Sequence, residues 1–263
     1  MLAVTILGSG SAGNCALVES PACRVLVDGG LSARQIAVRL GKASIDPRSI
    51  DAILVTHEHQ DHVGGLDVFC KKFQTRVYCN GPTAAVIREL SRNGCRKEFH
   101  IFSTGSEFAV GDLTVQAFPI THDAEDPVGF VLHCGSASIG FCTDLGLATK
   151  LVHERLLNAG TVVIETNYDK KLLEEDTRRP WPVKQRIMSR HGHLSNAPAA
   201  ELLASLTSHG LRRAILGHLS RDCNTPDLAL GAVRSRLAVD GVTSADVEVF
   251  CASQGEISAR FPV

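Results

Sequence analysis

The stretch Ala52-Ile53-Leu54-Val55-Thr56-His57-Glu58-His59-Gln60-Asp61-His62 decides how this chain is read. Its first five residues are an apolar, largely β-branched run, the composition of a buried strand. The next six hold three histidines and an aspartate. A strand that runs into a tight loop aims alternate residues at a common point, so His57 and His59 converge on one cation. Asp61 and His62, a step further round the turn, reach a second. Neutral imidazole and carboxylate are the donors that suit zinc, manganese or iron. A histidine-rich surface loop is the bland alternative. A closed structural zinc site takes four cysteines or histidines with none to spare, and here the donors exceed what one ion needs.

Working outward, short β-branched runs alternate with helical periodicity. Strands are expected at 4–7, 16–19, 24–28, 52–56, 77–79, 113–119, 128–134, 138–142, 162–165, 214–216, 247–251 and 257–261, several bounded by Gly, Pro or Asp. Helices are expected at 33–40, 65–73, 83–92, 150–157, 197–208 and 227–239, with Pro82 and Pro226 placed as in a first helical turn. Twelve strands and six interspersed helices point to an α/β sandwich with its helices outside. No repeat, low-complexity tract or Pro/Gly linker interrupts the pattern, so a single domain over 1–263 is expected.

Composition sets bounds. The 263 residues are 44% hydrophobic and 21% charged, with a formal net charge of −1, so any polyanion site must be a local patch. The start of the chain carries no basic leader with a long apolar core, and no apolar run reaches the roughly 20 residues of a membrane span. No membrane association is expected. The nine cysteines are scattered, none in C-x-x-C spacing, which reads as buried free thiols in a cytoplasmic protein.

The H-x-H-x-D-H run after an apolar strand resembles the signature of the metallo-β-lactamase superfamily, and further motifs follow in order. The upstream aspartate is Asp28 in Val25-Leu26-Val27-Asp28-Gly29-Gly30, and the third histidine is His122 in Pro119-Ile120-Thr121-His122. Asp144 stands in Phe141-Cys142-Thr143-Asp144, and His218 in Ile215-Leu216-Gly217-His218. The resemblance spans residues 4 to 218 and implies a four-layer αββα sandwich. It also implies two divalent ions, zinc first with manganese or iron as alternatives. One would sit on His57, His59 and His122, the other on Asp61, His62 and His218, with Asp144 bridging. Asp28 would orient a ligand. The chemistry so implied is hydrolysis by a hydroxide held between the ions, with Asp61 essential to it.

The fold does not choose the substrate. Glu165 ends the apolar run Val162-Val163-Ile164, and His191-Gly192-His193-Leu194-Ser195-Asn196 opens a helix. This layout resembles the phosphodiesterase branch that includes the tRNA 3′-processing endonucleases. There, a strand-end glutamate positions a histidine that stabilises the transition state or protonates the leaving oxygen. His191 reads as a neighbour. Gly8-Ser9-Gly10-Ser11-Ala12-Gly13-Asn14, His122 to Gly129, Arg179 to Ile187 and Gly192 to Asn196 together resemble the YycJ-like (WalJ-type) subgroup. That implies a cytoplasmic nuclease, a 5′→3′ exonuclease on DNA. The glycines at 8, 10 and 13 lack dinucleotide-loop spacing and read as a hairpin near the site.

From Asp169 to Arg190 there are seven basic and four acidic residues. Arg179, Trp181 and Lys184, together with Arg221, are the candidate nucleic-acid contacts, the tryptophan as a stacking platform. The alternative is a small-molecule hydrolase on the same scaffold: a lactonase, a cyclic-nucleotide phosphodiesterase or a weak β-lactamase. A binding module without turnover is the remaining class. Only 46 residues separate Asp144 from His191, too few for the inserted domain of a ribonuclease J. Oligomeric state is left open.

Overall fold

A computed structural model describes residues 1–90 and 98–263. The expected helix 83–92 therefore ends partly, and Cys95 lies wholly, outside the described residues. Two compact units emerge, one made of Met1–Pro119, Ala124–Ser136 and Ser253–Val263, the other of Ile120–Asp123 and Ala137–Ala252.

The first unit contains β1 (Ala3–Gly8), β2 (Cys15–Glu19), β3 (Arg24–Val27), β4 (Ala52–Leu54), β5 (Arg76–Asn80) and β6 (Phe99–Phe102). With the C-terminal β14 (Phe261–Pro262) they form a seven-stranded sheet in the order β14-β1-β2-β3-β4-β5-β6. The β1-β2-β3 part is antiparallel, and β3 to β6 run parallel. β7 (Glu107–Val110), β8 (Leu113–Pro119) and β9 (Val128–Cys134) make an antiparallel meander. Tyr78 of β5 and Phe102 of β6 stack on Phe108 of β7, with ring centroids 5.6 and 4.8 Å apart, which joins sheet to meander. The helices of this unit are α1 (Ala33–Lys42), α2 (Gln60–Val63), α3 (Leu66–Phe73) and α4 (Gly81–Leu90). Ile36 and Leu40 of α1 and Leu66 and Phe69 of α3 bury their side chains with Leu17, Leu26, Ile53 and Val77 of the sheet. Each such side chain gains about 1.5–3 kcal/mol on leaving water.

The second unit is built on β10 (Ala137–Cys142), β11 (Thr161–Glu165), β12 (Arg213–Gly217) and β13 (Glu248–Cys251), all parallel. Thr161–Glu165 is buried at every position, as expected of a parallel strand covered on both faces. The helices are α5 (Lys150–Leu156), α6 (Lys170–Glu175), α7 (Trp181–Ile187), α8 (Asn196–Leu206) and α9 (Pro226–Val239). Thr225 caps α9 by accepting from the Leu228 amide, with Pro226 in the first turn as the sequence predicts.

β6, β7, α2, α6 and α7 are additions to the sequence reading. β6 and β7 are four residues each with exposed positions, so no period shows. α6 buries only Leu173. The strand expected at 257–261 shrinks to Phe261–Pro262. Among the described residues no helix is long and apolar enough to cross a membrane.

The eight described cysteines are free thiols, six of them buried. Burial, only partly offset by the nearby Arg88 charge, pushes the Cys79 thiol up to about 12. The thiolate is the reactive form, so its scarcity slows alkylation roughly a thousandfold relative to a free thiol. Iodoacetamide at pH 8 should therefore label Cys79 in denatured but not native protein, as read by peptide mass spectrometry; native labelling at the denatured rate would contradict this burial.

Candidate metal centre

In both units several of the chemistry-bearing residues lie at or just past the C-terminal ends of parallel strands, where α/β sheets present ligand sites. Asp28 follows β3, the His57 to His62 loop follows β4, Asp144 follows β10, Glu165 ends β11 and His218 follows β12. Asp28, Asp144 and His218 have φ of 62°, 54° and 55°. Left-handed backbone is uncommon for residues other than glycine and is held only where the surroundings demand it. Here it turns each side chain sharply off its strand.

In the first unit, the Asp28 carboxylate accepts from the Thr56 amide at 2.9 Å and lies 2.8 Å from His62 Nδ1. A carboxylate can only accept, so Nδ1 of His62 carries the proton and Nε2 presents its lone pair. Thr56 Oγ1 is 3.0 Å from His57 Nδ1, which sets the second ring. His57 and His62 are fully buried with centroids 4.1 Å apart, and His59 stands edge-on to His57 at 4.7 Å. Gln60 to Val63, expected as an irregular loop, is the helical turn α2, and it places Asp61 Oδ2 3.7 Å from His62 Nε2. Gly30 makes this possible, because a Cβ there would stand 1.6 Å from the Asp61 carbonyl oxygen.

In the second unit, His122 Nδ1 lies 3.0 Å from the Gly192 carbonyl, which fixes the proton there and points Nε2 towards Asp144 Oδ1 at 3.6 Å. Burial, only partly countered by the Asp144 charge, holds the His122 ring below the ordinary histidine range, so it is a neutral donor at pH 7. Glu165 is completely buried and saturated. Its Oε1 accepts from His193 Nδ1 at 2.8 Å and His218 Nδ1 at 2.7 Å, and its Oε2 from the Leu145 and Leu194 amides at 2.9 and 3.0 Å. Burial alone would raise this carboxyl, but the charge and hydrogen bond of His193 and the bond from His218 outweigh it and hold it low. Asp144, Glu165, His193 and His218 each offer an atom within 4.8 Å of the others. Glu165 has no lone pair to spare, so it orients the two rings and leaves their Nε2 atoms, with Asp144, to meet a ligand.

The donor chemistry therefore fits divalent ions. His57, His62, His122 and His218 each have Nδ1 committed to an oxygen, an arrangement that orients a metal-binding imidazole and raises its basicity.

The sequence is matched by a family model described as a β-lactamase superfamily domain, over residues 23–219. The chain belongs to the metallo-β-lactamase superfamily. Within the superfamily it is 33% identical over 237 residues to exodeoxyribonuclease YycJ of Bacillus anthracis, covering 90% of this chain and 89% of that one. It is 34% identical over 236 residues to exodeoxyribonuclease WalJ of Streptococcus pneumoniae, covering 89% and 87%. Among solved structures, the metallo-β-lactamase fold protein YhfI from Bacillus subtilis superposes with a TM-score of 0.74 at 17% identity over 98% of both chains. The αββα fold expected from the sequence is thereby shown, and the chain is a metal-dependent hydrolase of this superfamily that uses divalent ions.

The basic segment reads differently in the structure. Lys184, expected to contact phosphate, is buried, and its ammonium donates to the Glu174 carbonyl at 2.8 Å, which ties α7 to α6. Arg179 is braced by Asp176 and Asp222, Arg178 by the same two carboxylates, and Arg186 by Asp123. The surplus of +3 is thus largely spent within the fold. Trp181, 55% exposed, and the exposed Arg221 face solvent. Asn14 is the site residue that sequence reading passed over: its side chain lies 3.0 Å from His62 Nε2. The Gly8–Asn14 motif was visible, but nothing local to it names a partner 48 residues on.

Proposed function

We propose that this chain is a two-metal phosphodiesterase that degrades DNA, from the 5′ end on the YycJ-like resemblance, with 1–263 acting as one catalytic domain in the cytoplasm. The observation that carries this reading is the Glu165–His193 pair at 2.8 Å, set beside Asp144 and His218. The exodeoxyribonuclease names of the two relatives support it. In this reading His57, His59 and His122 would hold one ion and Asp61, His62 and His218 the other, with Asp144 available to either. Zinc is the expected occupant, with manganese or iron as alternatives. When bound, the ions supply Lewis acidity and bring the pKa of water towards neutrality.

The chain's own residues supply the rest. Burial lowers the basicity of the His193 ring, but the Glu165 charge and hydrogen bond outweigh it, and the ring is held above the ordinary histidine range. With Nδ1–H on Glu165, its protonated Nε2 is the group that can donate to a leaving oxygen. Trp181 and Arg221 are the exposed side chains proposed to meet the strand, Trp181 by base stacking and Arg221 by phosphate contact. Arg179 supports them from within its ion pairs.

The test incubates metal-reconstituted protein with end-labelled duplex DNA, single-stranded DNA, RNA and bis-p-nitrophenyl phosphate. Duplex DNA should be shortened from its 5′ end. Activity on the small ester with none on any polymer would overturn the nuclease reading in favour of a small-molecule hydrolase. His193→Ala should slow polymer cleavage about 10²–10⁴-fold yet barely affect the small ester, whose nitrophenolate leaves without a proton. Equal losses on both substrates would remove the general-acid role.

A further inference from the structure

We propose that Asn14 is a positioning residue that fixes Asp61 as a ligand beside His62, and so governs one of the two ions; this rests on the reading of those two residues as metal ligands. The Asn14 side chain is buried, and its orientation is set at the oxygen end. Oδ1 accepts from the Gly10 amide at 2.9 Å and the Ser9 hydroxyl at 3.4 Å, so a flip of the carboxamide would forfeit both. Nδ2 therefore faces the His57 to His62 loop. It lies 3.0 Å from His62 Nε2, 3.4 Å from Asp61 Oδ2 and 3.4 Å from the Asp61 carbonyl.

The main chain makes the same connection. The Asn14 amide donates to the Asp61 carbonyl at 2.7 Å, and the Gly30 amide donates to the Asn14 carbonyl at 2.9 Å. The turn that carries Asn14 is clamped by Gln254, whose Oε1 accepts from the Ala12 amide and whose Nε2 donates to the Gly13 carbonyl, both at 2.8 Å. Ser9 donates its amide to the Ser253 carbonyl at 3.1 Å. The amide group is thus held from both sides by segments far apart in sequence.

An amide suits this place chemically. Its NH2 has two protons, which Asp61 Oδ2 and the Asp61 carbonyl can accept, each at 3.4 Å, so a single group fixes Asp61 beside His62 and the one lone pair of His62 Nε2 stays available to a cation. Being neutral, it leaves the Asp61 charge available to a cation. Its oxygen is turned away, so it does not compete as a ligand. Asp61 also borders a cavity of about 320 Å³ shared with Ser11, Ser32, Gln60 and Gly64, so this ligand is reachable from outside. Residues supporting a ligand in this way typically change metal affinity or activity about 10–100-fold when removed.

The experiment titrates metal-free protein with Zn2+ against a chromophoric chelator and reads the number and affinity of bound ions, with melting temperature as the control for folding. Wild type should take two ions. Asn14→Ala should keep one at wild-type affinity and bind the other about 10–100-fold more weakly, and Asn14→Ala with Asp61→Ala should bind no more weakly than Asp61→Ala alone. Asn14→Asp keeps the acceptor for Gly10 and Ser9 but removes the donor; it should fold and lose kcat about 10–100-fold with KM unchanged. If the alanine variant does not fold, the aspartate variant decides by its kcat. A wild type that binds no ion defeats the metal reading itself. Two ions in wild type with both affinities unchanged in Asn14→Ala, or a wild-type kcat in Asn14→Asp, defeats the Asn14 inference alone.

Discussion

Asp61→Ala is expected to take turnover below detection while leaving the fold intact. The side chain is 24% exposed, with Oδ2 3.7 Å from His62 Nε2, so it contributes little to the core. What holds this turn is main chain: the Asp61 carbonyl accepts from the Asn14 amide, and the amides of His62 and Val63 close the turn on the His59 carbonyl. Alanine keeps all of these. The catalytic loss has a different origin. A metal ion contributes several kcal/mol of charge stabilisation, and each 1.4 kcal/mol or so is a factor of ten in rate, so loss of its ligand costs on the order of 10⁴-fold. Initial rates on duplex DNA, together with ion content and melting temperature, check this. A melting temperature within a degree or two of wild type with no detectable rate is the expected pair of results. A rate within tenfold of wild type would remove Asp61 from the mechanism.

The contrast between Asp61 and Asn14 shows how much of the site can be read from sequence. His57, His59, Asp61 and His62 are legible because their donors are contiguous and follow an apolar strand, so local chain geometry alone brings them together. His122, Asp144 and His218 carry no such local signal, and they become candidates only through the order of motifs along the chain. The left-handed turns at Asp28, Asp144 and His218 are invisible in advance, since none is a glycine. Gly30 was visible as a residue but not as a reason, because the backbone it admits belongs to Asp61. Lys184 was misread for a similar cause. Charge in a sequence looks like surface, yet this ammonium spends itself on a carbonyl of the neighbouring helix. The regular core was easier, since strands such as Val128–Cys134 and Leu113–Pro119 announce themselves by apolar runs or alternation. Gln60–Val63 and Lys170–Glu175 did not, being too short or too polar to show a helical period.

Glu165 is the position where catalysis and stability should fail together. Sequence reading gave it one partner, His193; the structure gives it four donors, including His218. A carboxylate has lone pairs for all four. Glutamine, the closest isostere, has one acceptor oxygen, and its NH2 would face donors, so Glu165→Gln leaves two or more groups buried without acceptors. Alanine leaves all four. Removing one partner from a buried, hydrogen-bonded charge network costs about 3–5 kcal/mol, which for a protein of this size lowers Tm on the order of 10 °C. The rate should fall further than either histidine alone predicts. His193 loses the charge that raises the basicity of its ring, and His218 loses the hydrogen bond that aims its Nε2. Combining a general-acid loss of 10²–10⁴ with a ligand-orientation loss of 10–100 puts the expected drop at about 10³–10⁶-fold. The two effects separate by temperature: assayed well below the lowered Tm, Glu165→Gln should still show the rate loss in fully folded protein. Full activity under those conditions would mean that Glu165 serves the fold and not the chemistry, and His193 would lose its claim to be the acid.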